Sequence, residues 1–69
     1  MDTKDVIRRK SKESGLTLTG LHHAMIRGGA TVSYQTVTAW WTGRREPLLK
    51  NAVILARVLG ITVEELAGT

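Results

Sequence analysis

The sequence predicts a small all-α protein, with five helices packed as one compact bundle. Apolar residues recur three and four residues apart through most of the chain, which is the spacing of one helix face. Glycines stand at the expected helix ends, at positions 15, 28, 43 and 60. The length of 69 residues suits a single domain, residues 1–69.

The first helix is expected over residues 2 to 14, with Asp2 or Thr3 as its N-cap and Gly15 just after its end. This helix carries a basic run at residues 8–10. A solvated helix face is the commoner explanation of such a run, and contact with phosphates is the alternative.

Thr17 is suited to cap a second helix that ends at the glycine pair, residues 28 and 29. His22 and His23 on this helix point about 100° apart, so they cannot easily chelate one metal ion. We interpret both histidines as structural. The link that follows is polar and rich in glycine, and we expect residues 27–31 to be mobile in the free protein.

The strongest local signals define a short third helix with two different faces. Ser33 is a good N-cap, Gly43 suits the left-handed residue that closes a helix, and Pro47 lies just beyond. The apolar side consists of Val37, Trp40 and Trp41. The outer side consists of Gln35, Thr38, Ala39 and Thr42.

This outer side is short, polar and uncharged. A solvated helix usually carries Lys and Glu, whereas Gln and Thr around a small Ala suit the hydrogen-bonding edges and thymine methyl groups of a DNA major groove. The net charge of +4 favours an anionic partner, and Arg44 and Arg45 directly follow the helix. The sequence therefore indicates double-stranded DNA as the partner.

The fourth helix is the most apolar and is expected to be closed by Gly60. Its predicted inward positions are Leu48 or Leu49, Ala52, Leu55, Ala56 and Leu59. Ile54 falls on the opposite side and is expected to face water. A last short helix follows, with Thr62 as N-cap and Glu65 at its third position, the capping-box arrangement.

Several classes of function find no support in the sequence. Cysteine is absent, which excludes disulfides and thiolate metal sites. No apolar run reaches the roughly 18 residues of a membrane span and no signal peptide is recognisable, so we expect a cytoplasmic protein without a membrane partner. We find no nucleophile with its base, no metal set and no phosphate-binding glycine loop, so we expect no enzyme activity, cofactor or small-molecule ligand.

A set of short segments occurs in a characteristic order. They are GLT at residues 15–17, Leu21, VS-x-x-TV-x-x-W at 32–40, GRREP at 43–47 and LARVLGITVEEL at 55–66. No single segment is specific, but their order and spacing resemble the Cro/repressor helix-turn-helix family, also called the XRE family. The resemblance covers roughly residues 7 to 66.

The resemblance implies a lambda-repressor-like bundle whose second and third helices form the helix-turn-helix, with the third in the major groove. It implies base contacts from Tyr34, Gln35, Thr38 and Ala39; packing of Tyr34 on the turn or on Trp41 is an alternative. Phosphate contacts are expected from Thr17, Arg27, Ser33, Thr42, Arg44 and Arg45.

The chain departs from the family pattern at three places. The link between the second and third helices is longer than the usual tight turn, so the turn is expected to bulge outward. His22 stands where a small alanine usually lies between the crossing helices. Ser11 and Trp41 stand where many relatives pair an arginine with a glutamate, so we expect Trp41 to replace the ion pair by apolar packing.

The leading interpretation is a sequence-specific transcriptional regulator, a small phage or prophage Cro/CI-like repressor that occupies an operator. One recognition helix reads few base pairs, so we expect a homodimer that is weak in solution and strengthened on DNA. The expected dimer patch consists of Ile54, Val58, Ile61 and Val63. The alternative is a protein-interaction module of adaptor or antitoxin type with the same fold.

Overall fold

A computed structural model describes residues 2–67 of the chain. Its helices are α1 (Thr3–Glu13), α2 (Leu18–Arg27), α3 (Tyr34–Thr42), α4 (Leu49–Leu59) and α5 (Val63–Leu66). They confirm the predicted all-α class and the order of the predicted helices. The longest helices have 11 residues, and within residues 2–67 none is long and apolar enough to cross a membrane.

Local capping explains where α2, α3 and α5 begin and where α3 and α4 end. Thr17, Ser33 and Thr62 each accept, through the side-chain oxygen, a hydrogen bond of 3.0 to 3.2 Å from the backbone N–H three residues later. Gly43 and Gly60 close α3 and α4 in the left-handed conformation, with φ of +80° and +70°. A residue without a Cβ adopts this conformation at little cost, so both closures follow the sequence prediction.

The hydrophobic core lies between the helices and receives side chains from all five. Its buried members are Val6, Ile7, Leu21, Met25, Ala30, Val37, Trp40, Ala52, Leu55, Ala56, Leu59 and Leu66. Trp41 is half-buried and packs against this core, as the sequence predicts. Each fully buried large apolar side chain stabilises the fold by about 1.5–3 kcal/mol, so this cluster is the main source of stability.

Two predictions for α4 are wrong. Leu48 or Leu49 was expected to face inward, but their side chains are 77% and 73% exposed. They are the N-cap and first residue of α4, before the first turn that reaches the core. Ile54 was expected to face water, yet it is half-buried, and its Cγ2 lies 3.1 Å from where a Cβ on Gly28 would be. The end of α2 therefore covers the side of α4 that periodicity assigned to solvent.

The link between α2 and α3 is anchored at two points. Ala30 is buried in the core, and its N–H donates to the carbonyl oxygen of Met25 at 3.0 Å. His22 Nε2 lies 3.0 Å from the carbonyl oxygen of Val32, which ties the end of the link to α2. These contacts restrict the link on its inner side, and the mobility of residues 27–31 stays a prediction.

Candidate nucleic-acid interface

The candidate interface is the outer face of α3 together with the loop after it. Burial of Val37 and Trp40 fixes which side of α3 faces the core. The opposite side leaves Gln35 exposed and Thr38 half-buried. Residues 34, 38 and 42 are four apart and so share this side of the helix. Four of the predicted contact residues, Tyr34, Gln35, Thr38 and Thr42, therefore lie on one accessible surface.

Both threonines on this surface use their hydroxyl hydrogens inside α3. Thr38 Oγ1 donates to the carbonyl oxygen of Tyr34 at 2.9 Å, and Thr42 Oγ1 donates to that of Thr38 at 3.0 Å. Each hydroxyl oxygen keeps its acceptor lone pairs, and each side chain keeps its methyl group. Toward a partner, the two threonines therefore act as acceptors and as apolar contacts.

Ala39 is less accessible than the sequence predicts. It was assigned to the outer side of α3, but only 8% of its surface is exposed. The chain turns back over it after Gly43, because the backbone N–H groups of Arg44 and Arg45 donate to its carbonyl oxygen at 2.9 and 3.3 Å. Ala39 still borders a shallow surface hollow, which is lined by Gln35, Thr36, Ala39, Arg44 and Arg45.

Tyr34 lies at the start of α3, between solvent and α2. Its ring is edge-on to that of His22, with centroids 5.9 Å apart, and the residue is 43% exposed. Tyr34 therefore packs against α2 itself, whereas the alternative from the sequence was packing on the turn or on Trp41. The exposed part of Tyr34 still borders the outer face of α3.

The structure brings together only some of the predicted phosphate contacts. Arg44 and Arg45 are exposed beside Gln35 in the hollow described above. Ser33 is exposed at the N-cap of α3, but its Oγ accepts the N–H of Thr36 at 3.2 Å and also shares a hydrogen bond of 3.0 Å with Thr36 Oγ1. Its accessible position, rather than a free hydroxyl, makes it a candidate contact.

Thr17 and Arg27 lie at the two ends of α2. Thr17 is the N-cap and Arg27 is the last helical residue, so about 15 Å of helix separates them. Both are exposed. They cannot form one cluster, and any shared partner must be long enough to reach both ends of α2.

Sequence reasoning missed two contacts from α1 at the far end of α3. Arg8 Nε donates to the carbonyl oxygen of Trp41 at 2.7 Å, although Arg8 was expected to be solvated or to contact phosphates. Lys4 passes over Gly43, with its Cδ 2.5 Å from where a Cβ on that glycine would be. The four-residue spacing of Lys4 and Arg8 places them on one side of α1, which is the only sequence signal for this pairing.

The two histidines do not form a metal site with other residues. Their ring centroids are 5.9 Å apart, and His22 is engaged with Val32. Across residues 2–67, no three side chains of His, Cys, Asp or Glu are grouped to hold a metal ion.

Comparison with known families gives one match. A family model described as helix-turn-helix matches residues 7–66 of the chain. No curated protein matches, and no solved structure matches. The matched range includes α2, α3 and the link between them, which are the elements that present the outer face of α3. The chain therefore belongs to the Cro/XRE-type helix-turn-helix family of DNA-binding transcription regulators.

Proposed function

We propose that this protein is a sequence-specific repressor of the small phage or prophage Cro/CI type, which acts by occupying its operator and excluding RNA polymerase. The observation that carries the proposal is the outer face of α3. It presents an exposed amide, Gln35, and threonine acceptors without any charged group, beside the exposed guanidinium groups of Arg44 and Arg45. We propose that residues 1–69 act as one domain in this role.

Gln35 and Thr38 are the proposed readers of base sequence. An exposed glutamine amide can pair bidentately with adenine, which is worth about 1–3 kcal/mol of discrimination. The Thr38 hydroxyl hydrogen is bound within α3, so its oxygen suits the amino groups of adenine or cytosine and its methyl suits thymine. Tyr34 and Ala39 are proposed as edge contacts, since Tyr34 is shared with α2 and Ala39 is largely covered.

Arg44 and Arg45 are proposed to contact phosphates, since they follow the reading helix and are exposed. The further proposed phosphate contacts are Thr17, Arg27, Ser33 and Thr42. Phosphates carry no sequence information, so neutralising one arginine weakens binding to every duplex nearly equally and lowers the salt slope by about one. Arg57 is also exposed, but lies in the last turn of α4, so Arg57→Ala serves as a charge-matched control.

Selection of bound sequences from a random DNA pool tests the proposal. We expect a palindromic motif, and a Gln35→Ala variant that loses discrimination at one base pair of each half-site. A pool without any enriched sequence would contradict specific recognition and favour the interaction-module alternative. Unchanged affinity of Gln35→Ala for matched and mismatched operators would remove that residue from the reading face.

We propose a weak dimer that forms fully on DNA, with a different surface from the one the sequence suggests. Ile54, Val58 and Ile61 of the expected patch pack against the core of the same chain, and its fourth member, Val63, is 36% exposed. Leu48 and Leu49 are far more exposed. A buried leucine side chain contributes about 1.5–3 kcal/mol, so four across a symmetric pair supply roughly 6–12 kcal/mol. Association costs about 4–15 kcal/mol, so the pair is marginal without DNA.

A further inference from the structure

The C-terminal end of α3 has an unusual partner for one of its free carbonyl groups. The last four carbonyls of a helix have no partner within it. In α3, the carbonyl oxygen of Ala39 accepts from the backbone N–H groups of residues 44 and 45, and that of Trp40 accepts from Gly43 at 3.3 Å. The carbonyl oxygen of Trp41 instead accepts from Arg8 Nε, 33 residues away in α1, at 2.7 Å.

A second residue of α1 meets the same end of α3. Lys4, one turn before Arg8, lies over Gly43, and its Cδ is 2.5 Å from the position of an added Cβ. The three atoms nearest to such a Cβ all belong to the Lys4 side chain, so a side chain at Gly43 would have to displace Lys4. Both residues are cations at the negative end of the α3 dipole, where positive charge is stabilising.

Arg8 differs from its neighbour Arg9 in every relevant respect. Arg8 is half-buried, and its Nε hydrogen bond is charge-assisted and short, the stronger class of hydrogen bond. Arg9 is exposed, and its ion-pair partner within residues 2–67 is Glu13 on the surface, at 3.8 Å between Nε and Oε2. Such surface pairs contribute little, so two adjacent arginines of equal charge have different tasks.

We propose that Arg8 is a positioning residue for DNA recognition, which fixes the tilt of α3 against α1 and so the placement of its reading side chains. This inference rests on the proposed function of α3 as the base-reading helix. A helix of 9 residues is about 13 Å long, so a tilt of roughly 5° about one end moves the other by about 1 Å. Gln35 is near the opposite end of α3 from Trp41 and receives most of that displacement.

The test compares Arg8→Ala with Arg9→Ala, which remove the same charge from adjacent positions of α1. Affinity is measured for the selected operator and for an unrelated duplex over a range of salt, at a temperature where circular dichroism shows each variant folded. We expect Arg8→Ala to lose up to about tenfold in operator affinity, because binding must then hold α3 in the reading orientation that this hydrogen bond fixes in the free protein. Its affinity for the unrelated duplex and its salt slope should equal those of Arg9→Ala.

Two results would overturn the proposal. An equal loss on both duplexes, with a salt slope lower by about one, would make Arg8 a phosphate contact. Identical operator affinities for the two variants would mean that the bond to Trp41 does not set the reading geometry. If Arg8→Ala does not fold, Arg8→Lys replaces it, because lysine keeps the charge without the guanidinium geometry. We expect Arg8→Lys to lose affinity for the operator but not for the unrelated duplex. Unchanged operator affinity in this variant contradicts the proposal.

A failure of the proposed function has a separate signature. If the unaltered protein selects no DNA sequence, then α3 does not read bases, and the proposed function fails whatever the role of Arg8. The placement of α3 by Arg8 is then read from backbone amide chemical shifts in Arg8→Ala. Changes along the whole of α3 support a positioning role, and changes confined to the contact around Trp41 overturn it.

Discussion

The hydroxyl of Ser11 is the clearest case of a buried polar group without a hydrogen-bond partner within residues 2–67. The residue is fully buried in α1, and its Oγ has no hydrogen-bond partner among residues 2–67. A buried polar group without a partner costs about 1–3 kcal/mol relative to its hydrated state. Replacing Ser11 by alanine removes the hydroxyl and keeps the Cβ, so we expect Ser11→Ala to stabilise the protein.

The size of the effect follows from three contributions. Removing the unpaired hydroxyl contributes about 1–3 kcal/mol, and the higher helix propensity of alanine adds up to about 0.5 kcal/mol. The packing of one oxygen atom is lost in return. The expected net gain is about 1–2 kcal/mol in the free energy of unfolding. For a domain of 69 residues, each 1 kcal/mol corresponds to a Tm increase of roughly 4–8 °C.

Thermal and urea denaturation, followed by circular dichroism at 222 nm, measure the gain. The matched control is Ser14→Ala, since Ser14 is exposed at the C-cap of α1 and its side chain makes no hydrogen bond within residues 2–67. We expect the control to change stability by less than about 0.5 kcal/mol. A Ser11→Ala protein that is equally stable or less stable would show that the buried hydroxyl is satisfied in solution, and the reasoning would be refuted.

Three further predictions concern the segments that connect the helices. Gly43→Ala is expected to cost about 1–2 kcal/mol of stability because alanine disfavours the left-handed backbone of this position. The added Cβ also displaces Lys4, which increases the loss. Urea denaturation measures the total loss. His22→Phe keeps a ring beside α3 but loses the bond to the Val32 carbonyl, so we expect a loss of about 0.5–1.5 kcal/mol and faster amide hydrogen exchange in the link. Leu48→Ser adds a capping hydroxyl at the N-cap of α4, so we expect it to raise stability by about 0.5–2 kcal/mol and to weaken pairing of two copies on one operator, measured by sedimentation.

Each of these predictions has a distinct contradicting result. Gly60→Ala is the control for Gly43→Ala, because Gly60 is also left-handed, with φ +70°, but has nothing within 4 Å of an added Cβ. Equal losses in the two variants would mean that Lys4 moves aside freely. Unchanged amide exchange in His22→Phe would show that the link is held by other contacts. A tight dimer without DNA, or a single copy that saturates a full operator, would contradict the dimer proposal.

The sequence by itself determined the helices and most of their limits, because the signals that set those limits are local. Thr17, Ser33 and Thr62 bond to the backbone three residues later, and Gly43 and Gly60 close helices through their own conformational freedom. The buried side of α3 was also predictable, since large side chains at helical spacing have one way to reach a core. The helix-turn-helix family could be predicted from the order of the short sequence segments between residues 15 and 66, and the family match confirms it.

Tertiary structure alone decided what the ends and flanks of the helices contact. Leu48 and Leu49 continue the apolar pattern of α4 but precede its first packed turn, whereas Ile54 breaks the pattern and is covered by the end of α2. Neither outcome follows from periodicity, because the first depends on where α4 begins to pack against the core and the second on where α2 ends. The bond between Arg8 and Trp41 joins residues 33 apart, and a charged side chain in a basic run gives no local sign of such a partner.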